Sequence, residues 1–595
     1  MSVNLAFETE EAAAPSGGGG GGGGAAGSQE GPAAKEGGEE AAAAPRPSDL
    51  LFRVDEAPPW SMCLLLGLQH YLTMATSSIS IPFILVGLFC IEEADPARGH
   101  LISTIIFVSG IITLIQTSLG CRLPIVQGGT ASFVVPTIAI ISTRYEACDA
   151  LPEGLTEAQR QEVWQERMRE IQGAIAVSAV VQILVGFTGL IGLLIGWITP
   201  LVITPTVTLV GLSLSEVAAQ KASLHWGISG TTMALLILFS QYLREVGVPV
   251  PTYSRAKGLS SARLYVFKLF PVLLAILASW ALCAALTSAG AIPEGSRARS
   301  DAAAGLVAHS PWFRIPYPGQ WGLPTVTLAG VLGMLAGVFA SVVESVGDYY
   351  ACARLAGAPP PPIHAVNRGI GTEGLGCLLA GIWGTGNGTT SYAENIGIIG
   401  VTKVGSRRVV QYAAVFMIAF GMLGKIGAIF ASIPEPVVGG VFCIIFGMVA
   451  AVGLSSLQFV DLNSSRNLFV LGVSIFIGLA LPKWLQTSPG AIQTGSLILD
   501  QLLTVLLQTS MFVGGFLGFL LDNSIPGTPE ERGLLKWKAQ MEASSSEALG
   551  GRAFTCYDLP FGMDAVRRTS WASRLPFSPT FKGFARRRPN QQEDP

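Results

Sequence analysis

Charge is scarce in this sequence. Asp, Glu, Lys and Arg make up 13% of 595 residues, against 50% hydrophobic residues and a mean hydropathy of +0.51. Soluble domains carry about 25% charged residues, so this composition excludes them and implies a polytopic membrane protein. The net charge of −3 leaves no basic excess for nucleic acid. The nine cysteines show no CxxC spacing and no Cys/His cluster, so neither a zinc centre nor a dithiol motif is expected. Only Cys148, in a polar loop, and Cys90, at a helix end, are placed to meet an oxidising compartment. No nucleophile–base pair or phosphate loop is recognisable, so no enzyme is expected. A basic segment followed by an apolar run is also missing from residues 1–50, which are acidic, Ala-rich and carry a Gly run at 17–24. The first spanning helix is therefore expected to serve as the insertion signal.

What is present is a series of about fourteen apolar runs, each near the roughly 20 residues a helix needs to cross a bilayer. They fall at 60–90, 100–119, 123–141, 171–194, 197–216, 227–243 and 264–286. A second set follows at 326–345, 368–383, 390–402, 410–431, 436–457, 467–481 and 499–521. This divides the chain into a disordered tail (1–55), a seven-span repeat (56–290), an extracellular loop (291–324), a second seven-span repeat (325–522) and a tail (523–595). Lys and Arg favour cytoplasmic loops. Loops with Arg122, with Arg244 to Arg263, with Arg354 and Arg368, and with Lys403, Arg407 and Arg408 then lie inside. The acidic loops around Glu92 and Glu146 lie outside, and both termini are expected in the cytoplasm. On this topology neither Asn387 nor Asn463 accepts a glycan despite its sequon.

The stretch 384–408 is too short and Gly-rich for an ordinary span, and it carries Glu394 where the helical pattern resumes. Its counterpart is Gln127 to Phe133, followed by Pro136, in the third run of the first half. Interrupted segments at matching positions point to a transporter's binding site, and seven spans per half require the second half to be inverted. The third and tenth spans are thus expected to be broken helices meeting at mid-membrane. The plain alternative is close helix packing by small residues.

Polar groups inside the apolar runs are candidate functional residues. Gln69 and His70 lie in the first run, Glu344 and Asp348 end the eighth, and Glu394 and Asn395 open the tenth. Glu344 and Asp348, four apart, share a helix face and suit a cation. Alternatively, Asp348 pairs with Arg354. His70 either packs against backbone, touches substrate, or orients Glu344. Glu394, at a helix N-terminus, is favoured as a carboxylate and with Glu344 can accept from adjacent N–H donors of a flat heterocycle. Backbone N–H groups near Ala131 and Ala393 can donate to ring carbonyls, and Asn395 either touches ligand or shapes the loop.

Three motifs resemble the nucleobase–ascorbate transporter family: ESVGDYYACARLAGAPPPPIHAVNRG from Glu344, ENIGIIGVTKVGSRRVVQ from Glu394, and SIPEPVVGG through VGLSSLQFVDLNSSRNLFVLG. The resemblance covers most of residues 60–521. It implies a homodimer in the plasma membrane, with a core of spans 1–4 and 8–11 sliding as an elevator against a gate of spans 5–7 and 12–14. It also implies a symporter coupled to sodium, with no other cofactor. Ascorbate members place Pro at the first signature position and nucleobase members Gln or Glu; here it is Glu394, followed by Asn395, Gly397, Thr402 and Lys403. The chain thus resembles the mammalian sodium-dependent nucleobase members, taking uracil, thymine, hypoxanthine, xanthine or guanine. An ascorbate symporter is the alternative, and a non-transporting membrane scaffold or receptor is an alternative of another class.

Carried over by residue, the substrate set is Glu344, Glu394, Ala131, Ser132, Phe133, Ala393 and Asn395. Asp348, His70, Gln69 and Thr130 support ion coupling, with Asp348 and Ser132 as sodium ligands; proton coupling through Glu344 stays open. Family members often carry an aromatic where Ala131 stands, which leaves Phe133 or Tyr392 to supply the aromatic face. The C-terminal tail is read as solvated, or as lying on the anionic leaflet through basic clusters such as Arg567-Arg568 and 586–588. Arg567-Arg568-Thr569-Ser570 also resembles a basophilic kinase site.

Overall fold

The structure is a computed structural model that describes residues 7–8, 50–92, 95–152, 154–191, 199–254, 258–302, 304–488, 490–535 and 555–581. The chain is an all-α polytopic membrane protein. Among the described residues, eight helices are long and apolar enough to cross a bilayer unaided, or nine if one bent pair is taken as a single span. The remaining spans are shorter, more polar or broken. Span 1 is Trp60–Leu88 and span 2 Ala97–Ser118. Span 3 is a strand, Gln127–Gly129, running into the helix Ala131–Arg144. Span 4 is Glu157–Phe187 and span 5 Pro200–Ser223. Span 6 begins at Trp226, and span 7 is Pro271–Ser288.

The second half repeats this plan. Span 8 is Leu328–Leu355, span 9 Ile363–Trp383, and span 10 again a strand, Thr389–Ser391, running into a helix, Ala393–Thr402. Span 11 joins Arg407–Gly421 to Gly424–Ala431, span 12 is Glu435–Phe459, and span 13 is Ser465–Thr487. Span 14 pairs Leu497–Gln508 with Ser510–Ser524, bent by 82°.

Several boundaries differ from the sequence expectation for identifiable reasons. Span 4 begins at Glu157, because Thr156 and Gln159 form a reciprocal capping box that starts a helix in a polar stretch. Span 8 continues to Leu355, which places Glu344 and Asp348 inside a helix rather than at its end. Span 9 begins earlier than expected, at Ile363 after Pro362, and ends as expected at Trp383, where Gly384 with a φ of 72° gives a left-handed cap that glycine adopts without Cβ strain.

Spans 1–4 and 8–11 pack mainly on one another, as do spans 5–7 and 12–14. The two groups meet where Leu497–Gln508 lies against spans 3 and 8 and where spans 3 and 5 touch. One face of the molecule carries a disulfide between Cys90 and Cys148, the two cysteines singled out by position.

On the opposite face both presumed tails turn out to be partly docked. Leu51 N donates to Lys403 O at 2.9 Å, Arg407 N donates to Val54 O, and Asp55 pairs with Arg407 at 3.1 Å. Further back the N-terminal expectation lies outside the described residues, apart from 7–8. At the C-terminus, Thr555 to Phe581 lies on spans 2, 4, 9 and 11 instead of in solvent. Arg368 donates to Tyr557 O at 2.7 Å and Arg407 to Cys556 O at 2.8 Å, while Tyr557 itself is fully buried. Asn367 donates to Pro576 O at 3.0 Å, and the Phe577 and Phe187 rings meet edge to face. The 586–588 cluster lies outside the described residues.

Candidate functional site

The two broken spans are stitched together by their strands. Gln127, Gly128 and Gly129 pair antiparallel with Ser391, Thr390 and Thr389, the arrangement that two inverted copies of one element produce. Backbone freed by breaking a helix must find partners inside the membrane, and this ladder supplies them. The approach is close enough to require glycine at two points. A Cβ on Gly128 would lie 2.6 Å from the Tyr392 ring, and one on Gly388 would lie 2.5 Å from the Phe133 ring.

Side chains hold both half-helices in register. Thr130 Oγ1 caps the helix of span 3 by accepting from Ser132 N at 3.2 Å, and Asn387 Oδ1 accepts from Thr130 N at 2.8 Å. Across the ladder, Gln127 donates to Ser391 at 2.9 Å. The Tyr392 hydroxyl donates to Gly129 O at 2.6 Å and shares a hydrogen bond with Ser78 at 2.7 Å. Asn387 is completely buried, so its sequon is out of reach of glycosylation.

Beside this stitch lies a cleft enclosing about 650 Å³ of atom-free space, part of it open to solvent. Of the residues singled out in the sequence, Glu344, Glu394, Thr130, Ala131 and Ser132 line it. Ser132 Oγ donates to Glu344 Oε2 at 3.4 Å, tying the half-helix of span 3 to span 8. Ser77, Ser80, Thr390 and Tyr392 add polar groups. The far wall is apolar and comes from spans 5 and 12, with Phe446, Val449, Val207 and Val210. No Lys, Arg or His is among the lining residues.

Other expected site residues stand elsewhere. Phe133 is buried behind its half-helix against Gly388 and offers no face to the cleft. Tyr392 lines the cleft instead, with its ring packed on Gly128. Asn395 turns away as well, donating to His70 O at 2.9 Å and meeting His70 Nδ1 at 3.1 Å, so the pair locks span 10 to span 1. His70 thus contacts neither Glu344 nor the cleft. Ala393 is exposed at the start of its helix but does not line the cleft, and Gln69 is buried in span 1. Asp348 leaves Oδ2 buried without a hydrogen-bond partner instead of pairing with Arg354. No cluster of three His, Cys, Asp or Glu suited to a metal occurs among the described residues.

Sequence reasoning missed Glu373. This fully buried carboxyl group of span 9 accepts from Ser345 at 2.6 Å and from Tyr349 at 3.0 Å. Ser345 in turn shares a hydrogen bond with Thr390 at 2.9 Å, which links Glu373 to the cleft wall. A lone Glu within an apolar run was the available signal. It also missed the apolar wall, since nothing distinguishes Phe446 from the other hydrophobic residues of its run.

A family profile described as "Permease family" matches residues 61–487. The chain belongs to this permease family. It is 51% identical over 552 residues to solute carrier family 23 member 1 of Mus musculus, covering 91% of each chain. To solute carrier family 23 member 2 of Homo sapiens it is 51% identical, covering 91% of this chain and 84% of the relative. Nucleobase-ascorbate transporter 1 of Arabidopsis thaliana is 38% identical, with coverages of 82% and 92%. The protein is a transporter and not an enzyme. These relatives support the family as a whole rather than its nucleobase members in particular. Among solved structures the chain resembles the transmembrane domain of the cyanobacterial bicarbonate transporter BicA, with a TM-score of 0.46, 12% identity and coverages of 77% and 99%.

Proposed function

We propose that this permease is a sodium-coupled symporter of nucleobases, with uracil, thymine, hypoxanthine, xanthine and guanine as the candidate substrates. The observation that carries the reading is the pair of carboxyl side chains, Glu344 and Glu394, on one cleft lined by no cationic residue. Such a pair accepts hydrogen bonds from adjacent ring N–H groups. It disfavours ascorbate, which is an anion at neutral pH, because like charges share the site. Tyr392 and Phe446 are the aromatic residues on the cleft wall.

The second reading, ascorbate, has the comparisons behind it: similarity along the whole chain fits that substrate better than a nucleobase. The nucleobase reading leads here because Glu344 and Glu394 line the cleft with no cationic residue beside them.

In this proposal the group of spans 1–4 and 8–11 is the core, the group of spans 5–7 and 12–14 is the gate, and substrate rides on the core past the apolar wall. Sodium coupling, a homodimer, the plasma membrane and cytoplasmic termini belong to the same proposal. The disulfide supports placing its face outside, because disulfides persist in oxidising compartments. Asp348, with its unpartnered buried oxygen, is the proposed contributor to cation coupling.

Uptake of labelled uracil and of labelled ascorbate, each in sodium and in choline buffer, tests the reading. Sodium-dependent uracil uptake that excess ascorbate leaves unchanged is expected. Sodium-dependent ascorbate uptake without uracil uptake would establish the second reading instead, and equal rates in the two buffers would remove the sodium claim.

A further inference from the structure

Among the described residues, three buried carboxylates are neutralised by basic side chains, and they differ in what they join. Glu170 of span 4 pairs with Arg144 at 3.3 Å and accepts from Tyr145 at 3.1 Å and Thr327 at 2.7 Å. Those partners belong to spans 3 and 8 or their ends, inside a single packing group. Asp522 of span 14 pairs with Arg466 at 2.9 Å and Arg532 at 2.8 Å and accepts from Thr199 at 2.8 Å, all within the other group.

Glu435 is different. It opens span 12 directly after Ser432-Ile433-Pro434, the three residues by which the chain passes from one group to the other. Lys221, at the end of span 5, approaches to 2.7 Å from its own group, and Arg297 to 3.4 Å from the loop after span 7. Arg98, in the first turn of span 2, approaches to 3.6 Å from the opposite group. Glu435 and Arg98 are only 5% and 9% exposed. Among the described residues this is the buried, ion-paired carboxylate that draws on both groups.

We infer that Arg98 and Glu435 form a latch that holds the two groups together at the disulfide-bearing face and sets how often the cleft opens there. Separating the pair gives up its attraction in a poorly solvated setting, so the arrangement that keeps the two together is favoured. Lys221 and the helix N-terminus keep Glu435 neutralised within its own group when Arg98 leaves. The latch is therefore breakable, while the stitches at Glu170 and Asp522 hold each group internally. The inference rests on the transport reading, under which the groups move. It is tested by a readout of opening that needs no substrate.

The probe is Val449→Cys on the cleft wall, labelled by a membrane-impermeant thiol reagent in whole cells and in inside-out vesicles, and scored as the increment over protein lacking that cysteine. Arg98→Met is expected to raise the labelling rate from the disulfide-bearing side on the order of tenfold and to lower it from the other side. Arg98→Lys, which keeps the charge, is expected to stay near the parent rate and shows that the position tolerates change. Lys221→Met, which removes the group that neutralises Glu435 once Arg98 has left, is expected to lower the rate. A parent-like rate in Arg98→Met, or an equal rise in Lys221→Met, overturns the latch. Substrate uptake by the unaltered protein reports on the transport reading separately.

Discussion

At the scale of single residues, the proposed nucleobase reading rests most on Glu394. It is the second residue of the helix Ala393–Thr402, a position where proline fits because the first-turn N–H groups have no helical partner. Glu394→Pro therefore removes the acceptor without breaking the helix. Uracil uptake is expected to fall at least about tenfold, the scale of a lost hydrogen bond to a charged group, with cell-surface labelling unchanged. Uptake near the parent level would dismiss the acceptor role. Glu394 and Glu344 were readable because a charge inside an apolar run is costly unless it has work to do. The directions of Phe133 and His70 were not readable, because whether a polar or aromatic group faces the cleft or the neighbouring helix depends on packing partners distant in sequence. Glu373 escaped for the same reason: its partners Ser345 and Tyr349 come from span 8.

At the scale of elements, glycine-rich interruptions were legible as breaks, and the structure adds why Gly128 and Gly388 are needed. Gly388 faces the Phe133 ring so closely that a methyl group must displace it. Gly388→Ala is expected to destabilise the protein by about 1–3 kcal/mol through overpacking, read as a lower melting temperature in detergent. Thr130→Val, which keeps the shape but loses the cap on span 3, is expected to cost about 1 kcal/mol and to weaken substrate uptake, since Ala131 and Ser132 then lose their anchored N-terminus. What sequence periodicity could not supply was the early start of span 4, where a capping box overrides a polar composition. Nor could it reveal the apolar wall of span 12, which looks like any lipid-facing run.

At the scale of the whole molecule, covalent and docked ties brace the two faces. Cys90→Ser removes a bond joining positions separated by 58 residues, and a loss of about 2–4 kcal/mol is expected, reproduced in the parent by reductant. The opposite face is braced by the C-terminal segment, whose carbonyls accept from Arg122, Arg368 and Arg407. Burial, followed by the neighbouring Arg407, pulls Arg122 down to about 10, which still leaves it charged at neutral pH. A hydropathy reading assigns such a polar segment to solvent, because its anchors are main-chain carbonyls, one tyrosine and one phenylalanine rather than an apolar run. Tyr557 is that tyrosine, fully buried with its hydroxyl donating to Pro359 O. Tyr557→Ala is expected to cost about 3 kcal/mol locally, enough to shift the segment from bound to released, because the remaining anchors are individually weak. Limited proteolysis reads this directly: cleavage between residues 555 and 581 is expected to accelerate strongly in the variant while the spans stay intact. Unchanged protection would mean that the arginine–carbonyl contacts, with Asn367 and Phe187, hold the segment without Tyr557.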